Sequence, residues 1–241
     1  MAPNAARPNA AKPSCGVLAI LFDIDGTLIT TGGASAVAWR RAFADLYEIP
    51  VNVGEFTHAG MTDPEVGRLT FTAVIGHDPT APELAALMAK RLEHLPAAVA
   101  ESTGYRVLPG VTELLPTLVH WGYLLGLTTG LVESAARIKL ARSDLNKYFP
   151  VGGYGSDSPD RTELTRCGIQ RAGAVLGTPV DPHQVWVVGD TPLDIAAAHG
   201  AGAVAIGVAS GVYSTDALRD AGADHVLSAL TDKLPLGSHG T

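Results

Sequence analysis

Three short apolar runs end directly in polar residues, and this arrangement constrains the fold more than any other feature of the chain. They are Val17–Phe22 before Asp23-Ile24-Asp25-Gly26-Thr27, Tyr123–Leu127 before Thr128-Thr129-Gly130, and Gln184–Val188 before Gly189-Asp190. Apolar runs of this length are typical of strands buried on both faces of a parallel sheet. The polar residues would then lie at the carboxyl ends of the strands, where ligands bind in open α/β sheets.

Helical periodicity fills most of the chain between and after these strands. Beyond residue 105 it predicts a helix from Pro109-Gly110 through Leu118 and helices over about 133–142, 162–176, 193–199 and 215–221. Further strands are predicted at 203–208 and 225–227. Strands that alternate with helices of this length indicate a doubly wound parallel sheet, so we predict an α/β fold.

The segment 32–104 has helical patterns and no convincing strand. One helix is predicted over about Ala34–Tyr47, a second begins at Thr62-Asp63-Pro64-Glu65 with Asp63 as its N-cap, and a third ends near Pro96. We therefore predict one α/β core, residues 17–31 and 105–235, interrupted by a helical cap over 32–104. Residues 1–16 are predicted to be a disordered tail, and residues 237–241 a frayed end.

Charge and composition limit the partners of the chain. The 241 residues hold 17 basic and 24 acidic side chains, and no basic patch offsets the net charge of −7, so nucleic-acid binding is not expected. No run reaches the length of a membrane span, and prolines interrupt any signal-peptide pattern. Two cysteines, Cys15 and Cys167, are too few for a disulfide scaffold, so we expect free thiols and a cytoplasmic protein. We further expect a monomer or a homodimer.

The polar strand ends would bring several carboxylates into one crevice. If the three strands are neighbours, Asp23, Asp25, Asp190 and Asp194 lie close together, and like charges at short range resist joint ionisation. A hard divalent cation removes this repulsion. All-oxygen ligands with space left for water and a phosphate oxygen are those that Mg²⁺ prefers.

With such an ion present, the polar residues divide by role. Asp23 can bind the ion with one oxygen and attack phosphorus with the other, whereas Asp25 can offer its backbone carbonyl to the metal and its side chain for proton transfer. Gly26 allows the sharp turn between them. The Thr129 hydroxyl and nearby backbone N–H groups can donate hydrogen bonds to a phosphoryl oxygen.

The motifs Asp23-Ile24-Asp25-Gly26-Thr27-Leu28, Leu127-Thr128-Thr129-Gly130 and Gly189-Asp190-Thr191-Pro192-Leu193-Asp194 resemble those of the haloacid dehalogenase-like (HAD) superfamily. The chain is most similar to its phosphoglycolate phosphatase-like group. The resemblance implies a Rossmann-like core with an inserted cap and an aspartyl-phosphate mechanism. Asp23 would be the nucleophile and Asp25 the general acid and then base; Asp190 would complete the Mg²⁺ site, supported by Asp194.

One expected motif is altered. The family usually places a lysine ahead of the last motif, but no lysine lies between Lys147 and Lys233. Arg161 is the best-placed cation to replace it and Arg166 is second, since a guanidinium can brace phosphate with two hydrogen bonds. Lys139 is expected on an exposed helix face. Leu131 stands where similar sequences often have a polar Asn, which would alter the phosphate pocket.

The predicted substrate pocket draws on both parts of the chain. Thr129 and Gly130 would contact the phosphate, and Thr62 and Asp63, in the loop Gly60-Met61-Thr62-Asp63, would face it from the cap. The alternative for Asp63 is that it only caps its helix. His58 is a further candidate, and the histidines lack the spacing of a zinc site.

These residues favour a Mg²⁺-dependent phosphatase acting on a small phosphorylated metabolite. The alternative is a sugar phosphomutase, β-phosphoglucomutase-like, which needs the same acid but keeps water out. A dehalogenase or phosphonate hydrolase would not need Asp25, and a non-catalytic protein would not need Asp23, Asp25 and Asp190 intact. The identity of the phosphate ester is not predicted.

Overall fold

A computed structural model describes residues 16–236 and has a parallel sheet at its centre. Its strands are β1 Ala19–Phe22, β2 Ile29–Thr31, β3 Tyr105–Val107, β4 Leu124–Thr129, β5 Val151–Tyr154, β6 Val185–Gly189, β7 Val204–Val208 and β8 His225–Leu227. Six of them form one sheet in the order β5-β4-β1-β6-β7-β8, and every neighbouring pair is parallel. β1 therefore lies between β4 and β6. This order is the one in which the polar residues that follow the three strands can lie in one crevice, as predicted.

The helices alternate with these strands in the second half of the chain. They are α1 Ala34–Tyr47, α2 Asp63–Ile75, α3 Ala81–Glu101, α4 Val111–His120, α5 Glu133–Ala141, α6 Arg161–Leu176, α7 Pro192–Gly200 and α8 Thr215–Asp220. Capping boxes begin α3 and α7, where a threonine hydroxyl and an acidic side chain three residues later satisfy backbone N–H groups that the helix leaves open.

Both faces of the sheet are covered. Ile20 and Phe22 of β1 belong to a buried cluster that includes side chains of α4 and α5. Ala19 and Leu21 point to the opposite face and pack with side chains of α6 and α7. Successive residues of a strand point to opposite faces, so an apolar residue at every position of β1 is what two covered faces demand. The predicted doubly wound α/β fold is confirmed.

The helices α1, α2 and α3 lie between β2 and β3, which pair with each other antiparallel and form the two connections to the sheet. We call residues 34–101 the helical insert. It has its own buried cluster, which includes Trp39, Phe43, Phe71 and Leu87. The short strands β2 and β3 were not predicted, because three residues are too few to show a periodicity.

Two predicted helix ends were wrong. Thr62 is the N-cap of α2 and Asp63 is its first helical residue, so Asp63 does not cap the helix. Pro96 does not end α3, which continues to Glu101. A proline inside a helix removes one backbone hydrogen bond. The helix continues because Leu95, Ala98 and Val99 on either side are buried in the core.

Some expectations fall partly outside the described residues. Residues 1–15 lie there; they include Cys15 and all of the predicted tail but Gly16. The predicted frayed end over 237–241 lies there as well. Cys167 lies on α6 as a partly buried free thiol. None of the helices within residues 16–236 combines the length and the apolar character that crossing a membrane requires.

Candidate functional site

The carboxylates of Asp23, Asp190 and Asp194 meet at the carboxyl ends of β1 and β6. Asp23 directly follows β1, and its N–H still donates to the Val188 carbonyl of β6 at 2.8 Å. Asp190 directly follows β6, and Asp194 lies in the first turn of α7. The three side chains are buried, and one oxygen from each lies within 4.8 Å of the others. The sheet order thus brings together residues that are far apart in the chain.

Asp25 lies beside this cluster and is paired with a lysine. The Lys139 ammonium donates to the Asp25 carboxylate at 2.5 Å. The Lys139 side chain is 1 % exposed, so the expectation of an exposed position on α5 was wrong. An unpaired ammonium would not be buried in a protein interior, and the Asp25 carboxylate supplies the required partner.

Arg161 brings a second cation to the site. It is the first residue of α6, its guanidinium is paired with the Asp194 carboxylate, and Nη2 lies 3.8 Å from Asp23 Oδ1. Its Nε is buried and has no hydrogen-bond partner among the described residues. Arg166, the second candidate, instead has an exposed side chain that pairs with Glu163.

The two threonines at the end of β4 face different surroundings. The Thr128 hydroxyl is hydrogen-bonded to the Thr165 hydroxyl of α6 at 2.9 Å, so it points away from the carboxylates. Thr129 instead hydrogen-bonds to Asp23. Only Thr129 is therefore placed to contact a group bound at Asp23.

Gly26 allows the chain to turn tightly against Asp190. Its φ is +86°, a backbone conformation that side chains disfavour, and a Cβ at this position would collide with the Asp190 carboxylate. The next residue, Thr27, donates its hydroxyl to Asp190 Oδ1 at 3.2 Å. The loop after β1 is thus shaped around the carboxylate that follows β6.

Burial and mutual repulsion perturb the buried acids and their cation. Burial raises the pKa of Asp23, which the Arg161 guanidinium opposes and the Asp25 carboxylate reinforces. Burial and the Asp23 charge raise the pKa of Asp190 to about 7. Burial also lowers the pKa of Arg161 from its usual value. Both acids are therefore costly to ionise together without a further positive charge.

This donor set fits a hard divalent cation. Carboxylate oxygens that converge within 4.8 Å, with repulsion that a cation would relieve, are suited to Mg²⁺. Asp23 and Asp190 are the predicted side-chain ligands, and Asp25 is predicted to contribute its backbone carbonyl. Asp194 belongs to the same cluster, but its carboxylate is already engaged by Arg161 and by Thr191.

A cavity of about 270 Å³ opens in front of Asp23, between the sheet and the helical insert. Of the predicted site residues, it is lined by Asp23, Asp25, Asp63, Thr129, Gly130 and Arg161. Thr62 does not line it; this residue is fully buried and its hydroxyl has no hydrogen-bond partner among the described residues. The volume is at the small end of ligand pockets, so a small ligand is expected.

Asp63 joins the insert to the sheet. Its carboxylate accepts hydrogen bonds from Arg91 Nη1 at 2.8 Å and from the Val132 N–H at 3.0 Å. Its own N–H donates to the Gly130 carbonyl at 2.7 Å. Asp63 therefore faces the cavity as predicted, but its carboxylate is occupied by partners within the chain.

A family model described as haloacid dehalogenase-like hydrolase matches residues 17–202. The chain belongs to the haloacid dehalogenase-like hydrolases. The resemblance seen in the three motifs is thereby confirmed.

Relatives of this hydrolase include proteins named as phosphatases. It is 30% identical over 209 residues to a protein named probable phosphatase IndB of Dickeya dadantii, which covers 84% of this chain and 85% of that one. It is 28% identical over 239 residues to phosphoglycolate phosphatase of Escherichia coli O157:H7, covering 90% of both chains. The crystal structure of a hydrolase from Pseudomonas syringae is similar with a TM-score of 0.67 and 26% identity, over 89% of this chain and 95% of that one.

Lys139 is the site residue of this hydrolase that sequence reasoning missed. The spacing of α5 did contain a signal: Lys139 follows Ala135 by four residues and Ala136 by three, and both alanines are fully buried. Residues at these separations share one face of a helix. The pattern therefore placed Lys139 on the buried face, where a lysine needs an acidic partner.

Proposed function

We propose that this hydrolase is a Mg²⁺-dependent phosphatase that cleaves a small phosphate monoester through an aspartyl-phosphate on Asp23. The observation that carries the proposal is the position of Asp23, buried at the centre of the sheet edge and facing a cavity beside Arg161 and Thr129. The names of the phosphatase relatives support it.

In the first step an Asp23 oxygen attacks phosphorus and the bond to the leaving oxygen breaks. Asp25, on the loop that follows, donates the proton that the leaving oxygen takes up. Lys139 holds the Asp25 carboxylate at 2.5 Å and so fixes its place at the side of the cavity. In the second step water attacks the aspartyl-phosphate, Asp25 accepts the proton of that water, and Asp23 is regenerated.

Phosphoryl oxygens would be held by neutral and cationic donors. The Thr129 hydroxyl lies at the cavity, and Arg161 has a buried Nε without a partner among the described residues. Such donors stabilise the charge on the transferring group because they are in place before the reaction begins. A Mg²⁺ ion bound by Asp23, Asp190 and the Asp25 carbonyl would supply charge neutralisation at a phosphoryl oxygen.

The helical insert is proposed to act as a cap over this cavity, with the sheet domain formed by residues 17–31 and 105–235. Side chains of α1 and α2 line the cavity opposite the carboxylates. A cap in this position limits substrate size and excludes water during the first step. A small phosphorylated metabolite suits a cavity of about 270 Å³.

Hydrolysis of para-nitrophenyl phosphate by the full chain tests the proposal. Asp23→Asn should abolish turnover while leaving the fold intact by circular dichroism, and excess EDTA should abolish it in the unmodified protein until Mg²⁺ is restored. Asp220→Asn, at an exposed acid that ends α8, is the matched control and should retain full activity. Turnover by Asp23→Asn, or full rates in EDTA, would contradict the mechanism. Slow hydrolysis of a hexose phosphate with formation of its isomer would instead indicate a phosphomutase.

A further inference from the structure

The two walls of the active-site cavity differ in charge. The core wall, from the loops after β1, β4 and β6 and from α5 and α6, includes Asp23, Asp25, Lys139 and Arg161. The insert wall is formed by cavity-lining residues between positions 35 and 66. Its apolar members include Trp39, Val53, Met61 and Val66. Its polar members are Ser35, Thr57, His58 and Asp63, and the Asp63 carboxylate is paired with Arg91.

No lysine or arginine of the helical insert, all of which is described by the structure, lines this cavity. Arg91 is fully buried and is held by Asp63 at 2.8 Å, with its guanidinium over the Trp39 ring at 4.8 Å. Three others form ion pairs elsewhere: Arg41 with Glu101, Arg68 with Asp78, and Lys90 with Glu93. The last, Arg40, is exposed.

The cations of the core wall already have acidic partners. Lys139 is bound to Asp25, and Arg161 is bound to Asp194 and lies 3.8 Å from Asp23. With Asp190, four carboxylates face these two cations. A divalent cation would balance the cluster, and the phosphate of a substrate would then use the remaining donors. No lysine or arginine that lines the cavity is left over for a second anionic group.

We infer that the group esterified to phosphate in the substrate is uncharged. This inference rests on the proposed phosphatase activity and names its substrate class: esters of neutral alcohols, in which apolar carbons contact the insert wall. A carboxylate on the leaving group would lose its hydration without gaining a cation, and burial of an unpaired charge is strongly unfavourable. Phosphoglycolate, the substrate named for the Escherichia coli relative, carries such a carboxylate.

A matched pair of esters tests the inference directly. 2-Hydroxyethyl phosphate has the same carbon chain as phosphoglycolate, with a hydroxymethyl group in place of the carboxylate. We expect kcat/KM of the full chain with Mg²⁺ to be at least about tenfold higher for 2-hydroxyethyl phosphate, since a polar group left unpaired in a site costs this much or more.

A variant that adds the missing cation tests the cause. Ala36 is exposed on α1 and lines the cavity, so Ala36→Lys can place an ammonium at the insert wall without disturbing the core. Ala36→Lys should raise kcat/KM for phosphoglycolate relative to that for 2-hydroxyethyl phosphate by about tenfold. Ala36→Gln has a side chain of similar length and no charge, and it should not change this ratio. His58 also lines the cavity, and His58→Gln should leave the ratio unchanged, because under this inference His58 binds no charged group of the substrate.

Each outcome separates the inference from the function on which it rests. A preference of the unmodified chain for phosphoglycolate, or equal values for both esters, overturns the inference while leaving the phosphatase intact. Equal ratios in Ala36→Lys and Ala36→Gln, or a lost phosphoglycolate activity in His58→Gln, overturn the assignment to a missing cation. Failure to hydrolyse any ester, para-nitrophenyl phosphate included, contradicts the phosphatase and the inference together.

Discussion

At the scale of single residues, the pairing of Lys139 with Asp25 shows how a buried cation can hold a partly exposed acid in position. The Lys139 ammonium is 1 % exposed and the Asp25 carboxylate is 42 % exposed, so the lysine depends on the acid more than the acid depends on the lysine. Asp25 could be solvated in the absence of Lys139, but it would no longer be held at one position beside Asp23. Lys139 is therefore a positioning residue in the proposed mechanism.

Lys139→Gln should lower kcat by about 10- to 100-fold with a smaller change in KM, as is usual when a partner that orients a catalytic group is removed. Steady-state kinetics with para-nitrophenyl phosphate measures the split. Lys147→Gln is the matched control, because Lys147 forms an exposed pair with Asp144 and does not line the cavity, so its kinetics should be unchanged. A Lys139→Gln enzyme with the kcat of the unmodified chain would remove Lys139 from the mechanism.

Tyr154, at the end of β5, makes the stability of the fold sensitive to alkali. Its side chain is buried, and burial raises the pKa of the phenol from 10.0 to about 12, with the Arg137 guanidinium opposing the shift. A raised pKa in the folded state stabilises the protein below pH 10, and this contribution is lost as the pH rises toward 12. The expected loss from this residue is roughly 2 kcal/mol.

Urea denaturation at pH 9, 10 and 11 checks this expectation. Tyr154→Phe should be less stable than the unmodified chain at pH 9, because it loses the hydrogen bond from Arg137 Nη2 at 2.9 Å. Its free energy of unfolding should then fall less steeply above pH 10. Parallel pH profiles of the two proteins would show that the Tyr154 phenol does not control this transition.

At the scale of elements, the success of prediction depends on how many residues repeat a pattern. α1 begins and ends where its periodicity predicts, at Ala34 and Tyr47, because fourteen residues show the apolar stripe several times. β5 was missed since two of its four residues, Gly152 and Gly153, have no side chain to show a pattern. Pro96 was misread as a stop because the packing that keeps α3 helical around it is not a local property.

One buried ion pair joins α2 to α3, beside the apolar contacts between the two helices. Arg91 is fully buried, and Asp63 provides its counter-charge while also accepting the Val132 N–H. Asp63→Asn would leave the Arg91 guanidinium buried without a negative partner, which typically costs about 3 kcal/mol or more. We expect the free energy of unfolding to fall by that amount and the amides of α3 to exchange faster with solvent.

The exposed pair between Arg68 and Asp78 supplies the comparison. Asp78→Asn removes the acid of an ion pair in the same insert, at 3.2 Å but open to water, so it should change stability little. Denaturant melts and hydrogen exchange of both variants measure the difference. If Asp63→Asn is as stable as Asp78→Asn, the buried pair does not hold the insert together.

At the scale of the whole molecule, the site is built from segments that only the sheet order brings together. Asp23, Thr129 and Asp190 were predicted to converge because each follows an apolar strand, and the order β4-β1-β6 places those strands side by side. Arg161 was predicted as a site residue because it is the best-placed cation ahead of the last motif. The pairing of Asp63 with Arg91 could not be predicted, because it depends on where side chains of two helices point after packing. Sequence pattern thus located the residues of the candidate site, and packing decided their partners.

Metal binding should stabilise the whole molecule by relieving the repulsion among its buried carboxylates. In the metal-free protein, Asp23 and Asp190 are buried together; burial disfavours ionisation of both, and the Asp23 charge further disfavours that of Asp190. Saturation with Mg²⁺ at about 100 times the dissociation constant adds roughly 2.7 kcal/mol, or about 5–10 °C in Tm for a chain of this size. Asp190→Asn keeps an acceptor for Thr27 but removes one charge, so it should raise Tm in EDTA and respond little to Mg²⁺. Differential scanning calorimetry measures the change in Tm on addition of Mg²⁺, with Asp220→Asn as the control. If Mg²⁺ raises the Tm of Asp190→Asn as much as that of the control, the metal binds away from these carboxylates.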